Sequence, residues 1–155
     1  MNGESELDYY KLLKLSKKSK KEEGERVKIA ILSDGATQQI ESAIIGLFFF
    51  HNMLAEVYAP PIDTIDSEIR DKDSEIYQSD CVFIFYTTLC LRDKYNRNLD
   101  KREQFLENSL RMLSDNLKIL LENFKGQVIH SNFSSAYERA IGNLEYKSAY
   151  SLKSI

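Results

Sequence analysis

The 155 residues (18.0 kDa) suffice for one domain with a buried core. With 43% hydrophobic and 29% charged residues, six Gly and two Pro, the composition excludes a disordered, collagenous or repetitive chain. A net charge of −3 argues against nonspecific nucleic-acid binding as the main activity, and the longest apolar stretch, around Ala43 to Phe50, is too short to span a bilayer.

Residues 1–26 are polar and rich in charge, which predicts no secretory signal and a cytoplasmic chain with no membrane partner. Leu7, Tyr10 and Leu13 permit one amphipathic helix from Leu7 to about Lys18, followed by a charged linker. The lysine run Lys11 to Lys21 is followed at once by Glu22, Glu23 and Glu25, so it reads as a solvated face. A domain spanning 27–155 follows.

Val27–Leu32 is a compact apolar run of the size of a buried parallel strand. Ser33–Asp34–Gly35–Ala36–Thr37 breaks it with turn and cap chemistry, and Ala36 to Phe50 carries helix-like apolar content. A short strand is expected at Ala55–Ala59, ended by Pro60–Pro61. Ile62, Ile65 and Ile69 are at helical spacing, and Asp71–Lys72–Asp73–Ser74 is a polar break. Asp80 to Tyr86 is the strongest strand, apolar on consecutive positions as if covered on both faces. Leu106, Leu110, Leu113, Leu117, Leu120 and Phe124 form a helical stripe within Leu99–Phe124, expected to pack on the sheet rather than on a dimer partner. Gly126 closes that helix, and Gln127–His130 is a fourth short strand; Ser131 to Ile155 has no clear periodicity.

Alternating strands and helices predict an α/β fold: a short parallel sheet flanked by helices in three layers. Such sheets bind ligands at the carboxyl ends of their strands, so Ser33–Thr37, Tyr86–Arg92 and His130–Phe133 should share one rim. The Ser33–Thr37 turn offers backbone N–H groups at a helix N-terminus, suited to an anion or carbonyl oxygen; equally, Ser33, Asp34 and Thr37 are residues that cap helices. Thr87 and Thr88 are candidate pocket hydroxyls. Arg92 is a candidate phosphate or carboxylate ligand, or an ordinary surface partner of Asp93. His51 and His130 lie too far apart in sequence for a metal site. Cys81 and Cys90 lack metal-ligand spacing and are expected as reduced thiols, Cys81 buried. Asp71–Lys72–Asp73 follows no buried strand and lacks the Thr or Val of a paired-aspartate phosphotransfer motif; it reads as a turn.

Several separated stretches, in order, resemble the N-terminal domain of FkbH-like proteins, members of the haloacid dehalogenase (HAD) class IIIC phosphatase group. They are Lys28 through Gln38, Asp71 through Tyr77 leading into the Asp80 strand, Val128–Phe133, Gly142–Glu145 and Tyr150–Lys153. The resemblance covers Val27 to Ile155. It implies an SGNH (GDSL-type) hydrolase-like domain of flavodoxin-like fold, followed in the family by a HAD domain that binds Mg²⁺. Some members load a glyceryl unit onto an acyl carrier protein. The DxDx(T/V) motif of the HAD part does not occur among these residues, so no cofactor is expected in this chain, which reads as an excised domain or a stand-alone relative.

The hydrolase pattern is incomplete. In an SGNH enzyme the nucleophile takes the third position of a Gly–Asp–Ser turn; here that turn is Ser33–Asp34–Gly35. No asparagine stands between Thr87 and Leu91, and no histidine follows His130. Three functions remain open: a noncatalytic binding or docking domain that positions a carrier protein or a glyceryl or carbohydrate precursor; a divergent esterase or acyltransferase using Ser33 or Thr37, with His130 as base; and a scaffold or dimerisation module.

Overall fold

In the computed structural model, residues 7–97 and 102–132 are described. Four parallel strands, β1 (Arg26–Ser33), β2 (Leu54–Tyr58), β3 (Cys81–Phe85) and β4 (Gln127–His130), form one sheet in the order β2-β1-β3-β4. The helices are α1 (Tyr9–Ser19), α2 (Gln38–Phe50), α3 (Ile65–Arg70), α4 (Thr88–Arg97) and α5 (Arg102–Asn123), with a 3₁₀ turn at Glu75–Gln78. This is the parallel α/β sheet flanked by helices that the sequence predicts, and its strand order is that of a flavodoxin-like fold.

The register explains the two layers of core. Leu32, Ile84 and Phe83, Ile31 pair across β1 and β3, and Ile84 pairs with His130 across β3 and β4. Side chains alternate between faces along each strand. Ala30, Leu32, Val82 and Ile84 pack on Ile65, Ile69, Ile76, Leu120 and Phe124, supplied by α3, the 3₁₀ turn and the end of α5. On the opposite face Ile29, Ile31 and Ala55 meet Ile40, Ile44 and Phe48 of α2. Burying any one of these large side chains contributes about 1.5–3 kcal/mol.

Three expectations need correction. The apolar run of β3 is not buried on both faces: Val82 and Ile84 are enclosed, whereas Cys81, Phe83 and Phe85 on the α2 side are half-buried. Helix α2 lies over β1 and β2 and covers that half of the sheet. The six-residue stripe is not uniformly buried either, because Leu110 is 56% exposed while Leu120 and Phe124 are in the core. The helical signal continues on the same face through Asn116, a buried polar residue whose Nδ2 donates to the Tyr86 hydroxyl at 3.4 Å. Helix α4 was not expected; of its ten residues only Tyr95 is buried, so no apolar period betrays it. Asp71–Lys72–Asp73 is the turn expected, closed by the Asp73 N–H donating to Asp71 Oδ1 at 3.0 Å.

Helix α1 is capped by Asp8, whose Oδ1 accepts from Lys11 N at 2.7 Å. It lies across α2 so closely that a Cβ at Gly46 would collide with the Leu12 carbonyl. Ser16 and Ser19 of α1 are also buried. Arg26 ties the far end of α1 to the sheet, donating to the Ser19, Glu22 and Ala55 carbonyls at 3.2, 2.7 and 3.4 Å. Just past the end of α2, Asn52 has a φ of 59°, the left-handed conformation that Asn tolerates, and Met53 N–H closes back on Phe48 O at 3.0 Å.

Candidate functional site

The carboxyl ends of β1 and β3 converge with the loop after β2. Ser33 is the last residue of β1, and Ser33, Asp34 and Thr37 are all buried. The Ser33 hydroxyl oxygen accepts from Gly35 N–H at 3.0 Å, a local turn bond. Asp34 reaches across to the next loop, its Oδ1 accepting from Thr87 N–H at 2.8 Å. The Cys90 thiol donates to the Asp34 carbonyl at 3.2 Å. The loop after β2 joins through Asp63, in left-handed conformation (φ 65°), whose N–H donates to Ser33 O at 3.2 Å. Its carboxylate accepts from Lys94 Nζ at 3.0 Å.

The threonines divide their duties differently from the sequence expectation. Thr87 is the N-cap of α4: its Oγ1 accepts from Cys90 N–H at 3.2 Å, and its carbonyl takes the first helical bond from Leu91 at 3.1 Å. Its oxygen is therefore engaged as a cap. Thr37 precedes α2 but does not cap it with its side chain. Instead its hydroxyl donates to Glu41 Oε1 at 2.6 Å, so the amides of α2's first turn have no side-chain acceptor. Thr88 opens α4, half-buried. Arg92 lies one turn further along, half-buried and engaged in an interaction of its own, with Asp93 exposed beside it.

Ser33 and His130 are not brought together. They stand on strands separated by β3, and the register puts His130 in line with Leu32 and Ile84, one position from Ser33, so their side chains leave opposite faces. No hydrogen bond joins them. His130 instead stacks its ring 5.7 Å from Tyr86, tilted by 39°. Tyr86 lies over the α5 side of the rim. Burial pushes its phenol above its ordinary value, the Asn116 hydrogen bond draws it back, and Asp66 and Asp34 push it up again. Both cysteines are free and half-buried; burial and the neighbouring Asp80 push the Cys81 thiol up. Among the described residues no three His, Cys, Asp or Glu side chains gather in a way that could hold a metal ion. No helix there is long and apolar enough to cross a membrane.

Gly35 decides the chemistry of the turn. A Cβ built on it would sit 3.1 Å from Thr87 Cγ2 and 3.8 Å from Ser33 Oγ. A methyl group from the next loop thus lies on the side of Gly35 from which any side chain would project. Glu41, Asp63 and Cys90 were missed in the sequence. The four-residue spacing of Thr37 and Glu41 was an available signal; the contacts of Asp63 and Cys90 depend on residues 30 and 56 positions away.

A parallel, flavodoxin-like sheet with a polar rim at the ends of β1 and β3 defines the class of domain. Within that class the chain belongs to the FkbH N-terminal domain family, whose model matches residues 28–153. It is also similar to a solved structure, the N-terminal part of the protein BF1531 from Bacteroides fragilis, which contains a phosphatase domain and is complexed with Mg. That likeness has a TM-score of 0.77 at 25% identity, covering 94% of this chain and 38% of the other. The chain therefore spans well under half of the length of that relative. No protein of curated function matches it.

Proposed function

We propose that this chain is a noncatalytic binding and docking domain of an FkbH-like protein. It acts in the cytoplasm and positions a glyceryl or carbohydrate precursor, or the acyl carrier protein bearing it, for a HAD phosphatase-like domain of the same full-length protein. Any Mg²⁺ belongs to that other domain, and the SGNH-like fold supplies a frame rather than a hydrolase. The reading rests on the turn at Gly35. Glycine stands where the SGNH nucleophile belongs, and the Thr87 methyl group fills the adjoining space. Without a nucleophile, and with His130 on the other face from Ser33, a general base has nothing to activate.

The charge of the rim favours hydroxyl-bearing ligands over free phosphate. Asp34 and Glu41 lie at the Ser33–Thr37 turn, bonded to Thr87 N–H and the Thr37 hydroxyl, and Asp63 is paired with Lys94. A helix N-terminus stabilises an anion by about 0.3–1 kcal/mol, and carboxylates beside it oppose that gain. A ligand hydroxyl can donate to these carboxylates while its oxygen accepts from the uncapped amides of α2. The test is an amide-resolved NMR titration with a carrier protein loaded with a glyceryl thioester, run beside an aryl-ester assay. Shifts centred on Gly35, Thr37 and Thr87 with no ester turnover support the reading. Ester turnover abolished by Ser33→Ala, or an unmoved rim, overturns it.

A further inference from the structure

Helix α1 carries a charge pattern that neither the sheet nor the rim uses. Six of the chain's 21 basic residues lie between Tyr9 and Lys21 with no acidic residue among them, bounded by Asp8 before and by Glu22, Glu23 and Glu25 after. Lys14, Lys17, Lys18 and Lys21 recur at steps of three, four and seven, and all four are exposed. That spacing aligns Lys14, Lys17 and Lys18 on one side of the helix, and Lys21 stands in the turn that follows it. Tyr10, 73% exposed, lies four residues before Lys14 and continues the line. The opposite side is committed to folding, because Ser16 and Ser19 are buried and Leu12 abuts Gly46 of α2. At the edge of the stripe Lys11 Nζ stands 5.6 Å from the ring of Phe50, itself 44% exposed. Lys17 and Lys18 are in the last turn, where the helix dipole favours cations. Lys14 lies a turn earlier and repels Lys18 without any ion pair of its own among the described residues.

From this pattern we infer that the exposed face of α1 is a docking surface for an acidic helical segment of another protein, with Tyr10 and Phe50 as its apolar margin. Three lysines of the helix and Lys21 in the turn after it match a helix carrying carboxylates at the same spacing, and the like-charge repulsion within α1 is relieved when they pair. A membrane-surface helix must insert its apolar side into lipid, and the apolar side of α1 is closed against α2. A long polyanion would meet the net negative remainder of the chain, whereas a short acidic helix feels only charges within a Debye length of about 8 Å. The surface is separate from the rim and does not depend on how the rim is read.

The experiment uses the whole chain and a fluorescein-labelled helical peptide with four Glu at matching spacing, followed by anisotropy at about 50 mM salt, where screening is weak. A peptide of equal composition with its Glu residues spread around the helix serves as comparison. The aligned peptide should bind at least about fivefold tighter than the spread one, in keeping with complementarity rather than bulk charge. Replacing Lys14, Lys17, Lys18 and Lys21 together by Gln should weaken binding at least about tenfold, with an unchanged Tm showing that the fold persists. Lys72→Gln with Lys125→Gln, both exposed elsewhere, should leave binding unaltered. Equal affinity for the two peptides, equal loss in the distant pair, or binding to phosphatidylserine vesicles in place of the peptide overturns the inference.

Discussion

Asp34 Oδ1 accepts a 2.8 Å hydrogen bond from the backbone N–H of Thr87, 53 residues later, and so joins the turn after β1 to the start of α4. Thr87 in turn caps α4 through Cys90 N–H. One carboxylate thus sets the spacing of the two loops that form the rim. Asp34→Ala leaves the Thr87 amide unpaired and should destabilise the fold by about 1–3 kcal/mol. Asp34→Asn keeps an acceptor oxygen and should cost less than half as much. Urea denaturation of the two variants checks the order; equal losses would mean that the charge, not the acceptor, holds the loops together.

Leu120 is fully buried between α5 and the sheet, whereas Leu110, on the same predicted stripe, is 56% exposed. Leu120→Ala should therefore cost about 2–5 kcal/mol, and Leu110→Ala no more than about 0.5 kcal/mol. Leu113, half-buried, should fall between them. Thermal or urea melts of the three variants measure how the stripe divides between core and solvent.

The legible parts of the fold were those with dense apolar signals. Val27–Leu32 and Cys81–Phe85 read as strands of a parallel sheet from their dense apolar runs, and they pair side by side, although β3 is enclosed on one face alone. Helix α4 left no signal, since Leu89 is 62% exposed and Tyr95 alone is buried; its start is set by the Thr87 cap and the Asp34 contact, both tertiary. The stripe of α5 was legible as a helix but not as a burial pattern, because periodicity alone does not say where the sheet ends. At the rim, Ser33, Asp34, Gly35 and Thr37 could be placed from topology. The partners of their side chains could not. Thr37 has the residue type of a cap, yet its hydroxyl turns to Glu41, a choice between two local acceptors and donors that composition does not decide.

Gly46 is fixed by the backbone of another helix. Any Cβ there meets the Leu12 carbonyl, which cannot move aside as a side chain can. Gly46→Ala gains helix propensity of about 1 kcal/mol, yet overpacking of about 1–3 kcal/mol opposes it, so α1 should lift from α2. Hydrogen exchange should then quicken in Tyr9–Ser19 while β1 and β3 keep their protection. Uniform protection in both helices would show that the contact relaxes without separation.

Alkaline pH tests the packing around Tyr86. Its phenol is raised above 10.0 chiefly by burial, so it gives up its proton less readily in the folded chain than in the unfolded one. The corresponding stability is complete below about pH 10 and is lost as pH rises through the higher folded value. Tyr58 and Tyr77 are shifted the same way, so Tyr86→Phe should reduce the alkaline loss without abolishing it. An unchanged slope of stability against pH in that variant would place the loss on the other two tyrosines and on Cys81.

Substitution at Gly35 tests the proposal that the domain has no nucleophile. If the Gly35 turn had merely lost a serine, Gly35→Ser would restore ester hydrolysis. The geometry says otherwise. The new Cβ would lie 3.1 Å from Thr87 Cγ2, a distance at which the threonine must yield, and Thr87 is held by its Cys90 cap and the Asp34 bond. Gly35→Ser should therefore lower stability by about 1–3 kcal/mol, as overpacking does, and Thr87→Ser, which keeps the cap but removes the methyl group, should recover most of that loss. A double-mutant cycle on the two positions isolates the coupling. Activity should remain at background in every combination, because a hydroxyl at position 35 still has no imidazole within the roughly 3 Å that a base requires, His130 being turned to the opposite face beside Tyr86. Turnover of an aryl ester by Gly35→Ser that disappears on His130→Ala would show that the histidine can cross the rim and that the domain retains a latent catalytic geometry.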